Sequence, residues 1–349
     1  MHQFACRCGS SLHFSNTRCG ACGDEVGFDP YIFSAVSLNA YGPFDRLRYC
    51  ENARWGACNW VINGTDANPF CLACRLNRII PDLDMAGNQH GWIALEQAKK
   101  HLIYQLLRLR LPMDAAQDAH PLRFDFVDDV PTGHLNGVVT VNLREANAVE
   151  RERQRQLFGE PHRTLVGHMR HESGHYFWNR LIEPSDRLEI FRDMFGDERT
   201  DYADALRRHH TGGGPIDWDN RHVSAYASSH PWEDWAETWA HYLHMVEALD
   251  TAHGMGVRVT DAVASPFDAY AKASFSDLID RWMPLTVVMN SLNRALGLDD
   301  FYPFVLSRPA REKMAFVHDT IRAQWTALPT FGKSIGRRRQ GQRNRSDLG

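Results

Sequence analysis

The rhythm of apolar and polar positions changes near residue 80. From Trp92 to Leu111, apolar side chains return at helical spacing, at Ile93, Ala94, Leu95, Ala98, Leu102, Ile103, Leu106 and Leu107. That spacing predicts a helix, which Pro112 stops because proline has no N–H to give. Leu122 to Val127 alternates and reads as a strand. Asn136 to Asn142, led by glycine and rich in β-branched residues, reads as a second strand. Helical periodicity then dominates, over 144–157, 162–182, 185–194, 198–209, 231–250, 274–296 and 308–327. A small sheet followed by many helices predicts an α+β domain. Before residue 80 the chain has little periodicity and reads as loops and short strands.

Composition sharpens this division. All 8 cysteines lie between Cys6 and Cys74, and the boundary is placed at Pro81 to Asp84. The expected organisation is a small Cys-rich module over 1–80, a larger mostly helical domain over 81–330 and a tail over 331–349. The tail carries six basic residues (Lys333, Arg337, Arg338, Arg339, Arg343, Arg345) and almost no apolar ones, so it reads as solvated and disordered. With 43% hydrophobic residues, the rest can bury a core. No apolar run reaches the roughly 18 residues of a membrane span, and the first residues contain no export-signal core. The cytoplasm is therefore the expected location, where thiols stay reduced and grouped cysteines read as metal ligands. The formal charge is −4, and the first 80 residues carry seven basic and six acidic side chains, a balance that disfavours nucleic acid as partner. Nothing in the sequence fixes an oligomeric state.

The cysteines form two groups of four. Cys6 and Cys8 precede Cys19 and Cys22, and Cys50 and Cys58 precede Cys71 and Cys74. A Cys-x-x-Cys turn presents two sulfurs on one side of a tight loop, and two half-sites complete a tetrahedron around Zn²⁺. Sequential pairing is the simpler assignment, with interleaved half-sites as the alternative. Both sites read as structural staples for a module without a large core.

The chemistry lies further on. His171-Glu172-Ser173-Gly174-His175 is an H-E-x-x-H pattern. On a helix the two histidines sit one turn apart on one face and reach a single zinc. Glu172, one residue after the first histidine, can approach a water there and act as general base. A catalytic zinc needs a third protein ligand and an open position. The residues after His175 supply none. A later stretch, His230 to His244, places Glu233, Glu237, His241 and His244 on one helical face, with Trp232, Trp235 and Trp239 to the side as core packing. Burying Glu233 and Glu237 beside these tryptophans is costly without a metal or hydrogen-bond partner. Glu233 is assigned as third ligand and Glu237 as the residue orienting a histidine, with exchanged roles as the alternative. Asp197, Glu198 and Asp201 read as helix-capping and helix-charging residues, with a second ion as the alternative. His168 reads as an orienting or packing residue.

Together these residues resemble the gluzincin clan of metallopeptidases. More closely, the chain resembles the bacterial family called "putative zinc-binding metallopeptidases". The resemblance rests on the Cys-rich ribbon, the run Arg163 to Tyr176, Phe195-Gly-Asp-Glu-Arg199 and the block Trp232 to His244. It implies a zincin-like metallopeptidase domain behind a zinc ribbon, with one catalytic and two structural Zn²⁺. It also implies a peptide or protein substrate and a Tyr or His that steadies the oxyanion, for which Tyr226 and His230 are the candidates, with ordinary capping and core packing as the alternative. In zincins a strand along the cleft adds the substrate to its sheet, which points to Gly137 to Asn142, with a plain sheet strand as the equal alternative. The expected function is zinc-dependent hydrolysis of peptide or amide bonds. The alternative is an inactive protein-binding or regulatory module, which would have no need of Glu172.

Overall fold

The computed structural model describes residues 3–40, 47–113, 119–158, 164–257, 259, 267–271, 273–302 and 306–327; the basic tail read at 331–349 lies outside them. Three antiparallel hairpins build the first part. They are β1 (Phe4–Ala5) with β2 (Ser11–Leu12), β3 (Val26–Asp29) with β4 (Ser34–Ser37), and β5 (Leu47–Tyr49) with β6 (Val61–Asn63). Such short strands bury little on their own. An aromatic cluster compensates: Phe14, Phe28 and Trp60 pack with centroids 4.9 to 6.2 Å apart. Phe14 and Phe28 also meet Tyr104 at 5.4 and 5.7 Å. Tyr104 belongs to α1 (Asn88–Arg108), so this cluster fastens the Cys-rich part to the larger one.

The larger part holds a four-stranded sheet in the order β7 (Asn77–Ile79), β8 (Arg123–Val127), β10 (Val138–Asn142), β9 (Gly133–Leu135). β8 runs parallel to both β7 and β10, while β9 is antiparallel to β10 and forms the edge. Phe124, Phe126, Val139 and Val141 bury one face of this sheet. Among the described residues seven helices follow: α2 (Ala148–Phe158), α3 (Leu165–Leu181), α4 (Arg187–Phe195), α5 (Tyr202–Gly212), α6 (Pro231–Gly254), α7 (Phe275–Ala295) and α8 (Arg308–Ala327). About half the described chain is helical and the sheets are small, the α+β pattern that the periodicity predicts. Among the described residues, no helix is long and apolar enough to cross a membrane.

Two strands escape the pattern. β7 is three residues long and lies before the Pro81 to Asp84 turn, yet it pairs with β8 in the sheet of the larger part. β9 has a plainer signal. The strand expected from Asn136 begins instead at Val138, because Asn136 (φ 49°) and Gly137 (φ 83°) form the turn of a β9–β10 hairpin. Asn-Gly is the preferred pair for a two-residue turn with both φ positive. At Gly137 a Cβ would also lie 2.6 Å from the His120 carbonyl oxygen.

Helix ends shift for local reasons. Asn142 caps a short 3-10 turn over Leu143–Ala146, which delays α2 to Ala148. Asp201 caps α5 by accepting a hydrogen bond from the Asp204 N–H, so that helix starts at Tyr202. Glu198 and Asp197 instead pair with Arg192 and Arg199, at 2.6 and 2.8 Å.

α3 is the central helix, and every residue from Met169 to Trp178 is buried. It packs on α6 through Gly174. A Cβ there would meet the Ala236 Cα at 2.9 Å and Trp239 Cδ1 at 3.2 Å. Two indoles stitch the crossing, Trp235 Nε1 donating to the Gly174 carbonyl (2.9 Å) and Trp239 Nε1 to Ser173 Oγ (3.0 Å). Because the Cβ would face backbone, Gly174→Ala should separate the helices. It is expected to lower stability by about 1–3 kcal/mol, as overpacked cores do, in urea-unfolding measurements on the full chain.

Candidate functional site

The packing of α3 on α6 sets the geometry of the site. His171 and His175 project from α3 one turn apart. From α6, Glu233 meets both. Its carboxylate oxygens lie 3.0 Å from His171 Nε2 and 3.5 Å from His175 Nε2. The two Nε2 atoms are 3.2 Å apart. A tetrahedral edge is about 1.63 bond lengths, so zinc bonds of about 2.0–2.1 Å place ligand atoms roughly 3.3 Å from one another. The three donors fit that spacing. Glu233 is almost fully buried, and its Oε2 makes no hydrogen bond among the described residues despite lying 3.0 Å from an imidazole nitrogen. Such lone-pair convergence in a buried site fits a cation.

Glu237 lies on the other side of the same ring. His171 Nδ1 donates to Glu237 Oε1 (2.6 Å), and Ser224 Oγ donates to Glu237 Oε2 (2.6 Å). Sequence spacing leaves the roles of the two glutamates interchangeable, but the structure places them at different nitrogens. Glu233 shares the Nε2 side with His175, and Glu237 holds Nδ1. Burial disfavours both carboxylates, but the imidazoles outweigh it. Glu233 is held well below the usual carboxylate range and Glu237 at about 2. The same pairs raise the pKa of His171 well above that of a free imidazole in the absence of a cation, despite its burial.

Glu172 follows His171 on α3 and lines the same cleft as these donors. Its Oε1 is 3.2 Å from His168 Nε2, while its buried Oε2 has no hydrogen-bond partner among the described residues. Burial pushes its pKa up, but His168 and the two neighbouring imidazoles bring it below normal. His168 Nδ1 in turn donates to Glu145 (2.6 Å). Burial opposes its charging, yet Glu145 and Glu172 raise its pKa to about 9.

These residues open onto a cleft of about 1200 Å³, lined among others by His134, His168, Tyr202, Tyr226, Trp232 and Glu237. β9 borders it through Gly133 and His134. The cleft strand expected at Gly137 to Asn142 is thereby corrected. β10 is paired on both sides, so the open ladder belongs to β9. The Tyr226 ring lies 6.0 Å from that of His171. His230 is committed elsewhere. Its Nδ1 caps α6 by accepting from the Trp232 N–H (3.1 Å), and its Nε2 meets the Thr200 carbonyl (3.2 Å). Tyr202, Ser224 and Glu145 have no sequence signal. Tyr202 donates its hydroxyl to Glu233 Oε1 (2.7 Å) across the cleft, a contact only the placement of α5 creates.

The cysteines gather sequentially, Cys6, Cys8, Cys19 and Cys22 in one group and Cys50, Cys58, Cys71 and Cys74 in the other; within each, and among His171, His175 and Glu233, the donor atoms lie within 4.8 Å of one another. Sulfurs of Cys6 and Cys22, Cys8 and Cys19, and Cys58 and Cys71 are 3.7 Å apart. Zn–S bonds of about 2.3 Å predict roughly 3.8 Å. The second group is fully buried, whereas Cys8 and Cys22 of the first are exposed.

Comparison with known proteins agrees with this geometry. Residues 88–320 match the family described as "Putative zinc-binding metallo-peptidase", and residues 3–85 match a zinc-ribbon domain. Uncharacterized proteins of Mycobacterium tuberculosis (strain ATCC 25618 / H37Rv) and Mycobacterium bovis are each 40% identical over 332 residues, covering 92% of this chain and 95% of theirs. No solved structure matches the chain. The sequence and the site lead to the same place: the chain belongs to the zinc-binding family described as "Putative zinc-binding metallo-peptidase", and carries a zinc-ribbon domain ahead of it.

Proposed function

We propose that the chain is a zinc peptidase that hydrolyses peptide or amide bonds of a peptide or protein substrate, with Glu172 as general base. One observation carries this reading. Three buried donors converge at zinc-ligand spacing, and they line one cleft with Glu172, whose buried Oε2 has no partner among the described residues. An inactive binding module would gain nothing from a buried acid held in that position.

In this reading His171, His175 and Glu233 hold the zinc, and the two four-cysteine groups hold structural zincs. Bound there, zinc supplies Lewis acidity, which polarises a carbonyl and makes water acidic enough to lose a proton near neutral pH. Glu172 takes that proton at Oε2 and passes it to the leaving amine. Glu237 keeps the His171 proton on Nδ1, so Nε2 presents its lone pair. β9 offers its free edge to an extended peptide. Tyr226 is the residue that donates to the oxyanion, since both His230 nitrogens are committed, Nδ1 to the α6 cap and Nε2 to the Thr200 carbonyl. The reading places the protein in the cytoplasm, where reduced thiols remain available to zinc.

Elemental analysis of the purified full chain should give three zinc ions per molecule; a value near one, with cysteines resistant to thiol reagents, would contradict the cysteine assignment. Glu172→Gln should retain all three and lose about 10²–10⁴-fold in kcat on quenched fluorescent casein, because an amide cannot accept the proton. Full activity in that variant would remove Glu172 as the base. Glu233→Ala should lose one zinc on mild dialysis. Glu237→Ala should keep it at saturating zinc, with affinity weakened about 10–100-fold. The reverse result would exchange the two roles, and the cysteine-bound ions act as internal control.

A further inference from the structure

Glu172 must do more than be present in the cleft. A glutamate on a helix has three side-chain torsions, and a carboxylate that turns away from the cation site cannot take a proton there. The residue one turn earlier on α3 restrains it. His168 Nε2 lies 3.2 Å from Glu172 Oε1, at the i to i+4 spacing that brings helical side chains together. His168 is itself fixed from behind by Glu145, at 2.6 Å on Nδ1. Both ring nitrogens face carboxylates, so both act as donors. Glu145 is held in turn. Thr132 Oγ1 donates to its Oε1 (2.5 Å), and the Asn142 N–H donates to the same hydroxyl (2.9 Å). Thr132 stands immediately before β9, the strand that borders the cleft. The His168 and Glu145 side chains are 13% and 14% exposed, so water competes weakly for these contacts.

The geometry points to His168, backed by Glu145, as the positioning residue of Glu172. It occupies one carboxylate oxygen and leaves the other available as an acceptor. This explains why only Oε2 of Glu172 is without a partner among the described residues. It also ties the orientation of the base to the stem of the cleft strand through a continuous hydrogen-bonded chain from Thr132. The inference rests on the reading of Glu172 as general base, but its core claim concerns the orientation of a side chain and can be measured without turnover.

The test uses the zinc-loaded full chain with three substitutions. His168→Leu removes both donors. His168→Gln keeps an N–H within reach of Glu172. Glu145→Gln keeps the shape behind His168 but removes the charge. On quenched fluorescent casein, His168→Leu should lose about 10–100-fold in kcat with KM within about twofold, while its zinc content stays at the wild-type level. His168→Gln should recover a substantial part of that loss, and Glu145→Gln should show a smaller one. Placed in a Glu172→Gln background, His168→Leu should have no further effect on rate, since residues acting through one another are not additive. Crystal structures of zinc-loaded wild type and His168→Leu supply the second readout: Glu172 should keep Oε2 toward the cation site in the first and rotate away in the second. Wild-type kcat in His168→Leu, a zinc loss as large as that of Glu233→Ala, or an unmoved Glu172 in the variant crystal would each overturn the inference. If the wild type cleaves nothing, the peptidase reading fails, and the two crystal structures alone decide the positioning role.

Discussion

The separation of α3 and α6 is set where a single hydrogen atom stands in place of a side chain. At Gly174 the backbone of one helix reaches the Cα of Ala236 on the other at a distance no larger residue permits. His175 is the next residue along, and Glu233 lies less than one turn before Ala236. The helix contact and the donor cluster are therefore one piece of geometry. Trp235 and Trp239 hold the crossing by hydrogen bonds as well as by burial, which fixes the rotation of α6 about its axis. That rotation decides which glutamate faces Nε2 and which faces Nδ1.

Around this contact the chain concentrates charge that would be unfavourable in isolation. Glu172, Glu233 and Glu237 converge on the imidazoles of His168, His171 and His175 and are themselves buried. Uncompensated buried carboxylates are among the most destabilising groups in a protein. Here each has a specific partner: Glu233 faces the two Nε2 atoms, Glu237 has Ser224 and Nδ1, and Glu172 has His168. The arrangement fixes tautomers and orientations before any ligand arrives, which is what a preorganised site requires.

Much of this is legible in the sequence, for identifiable reasons. Helices such as the one carrying His171 show because their apolar faces repeat over many residues, and the H-E-x-x-H spacing needs only a helix to bring its histidines together. The Cys-x-x-Cys half-sites are similarly local. Features that depend on long-range placement are not legible. Tyr202 reaches Glu233 only because α5 lines the same cleft, and Glu145 and Ser224 sit in short turns whose position no periodicity encodes. The roles of Glu233 and Glu237 cannot be separated by spacing, since both lie on one face. β9 escapes for a different reason: Asn136-Gly137 leads a β-branched run and so reads as the start of a strand, although the pair itself marks a hairpin.

The family matches divide the chain between residues 85 and 88, but hydrogen bonding does not. β7 lies on the ribbon side of that divide and pairs with β8 on the other. Its Arg78 binds Asp125 of β8, and its Asn77 joins the fully buried Glu96 and Lys99 of α1. A chain shortened to begin at residue 88 would strip β8 of its neighbour and leave Lys99 and Glu96 without their amide partner. It would then present a raw sheet edge, the kind that recruits other chains into aggregates. The strand from the zinc-ribbon region is thus a cover strip for the sheet of the larger domain, and any attempt to dissect the protein should cut before β7.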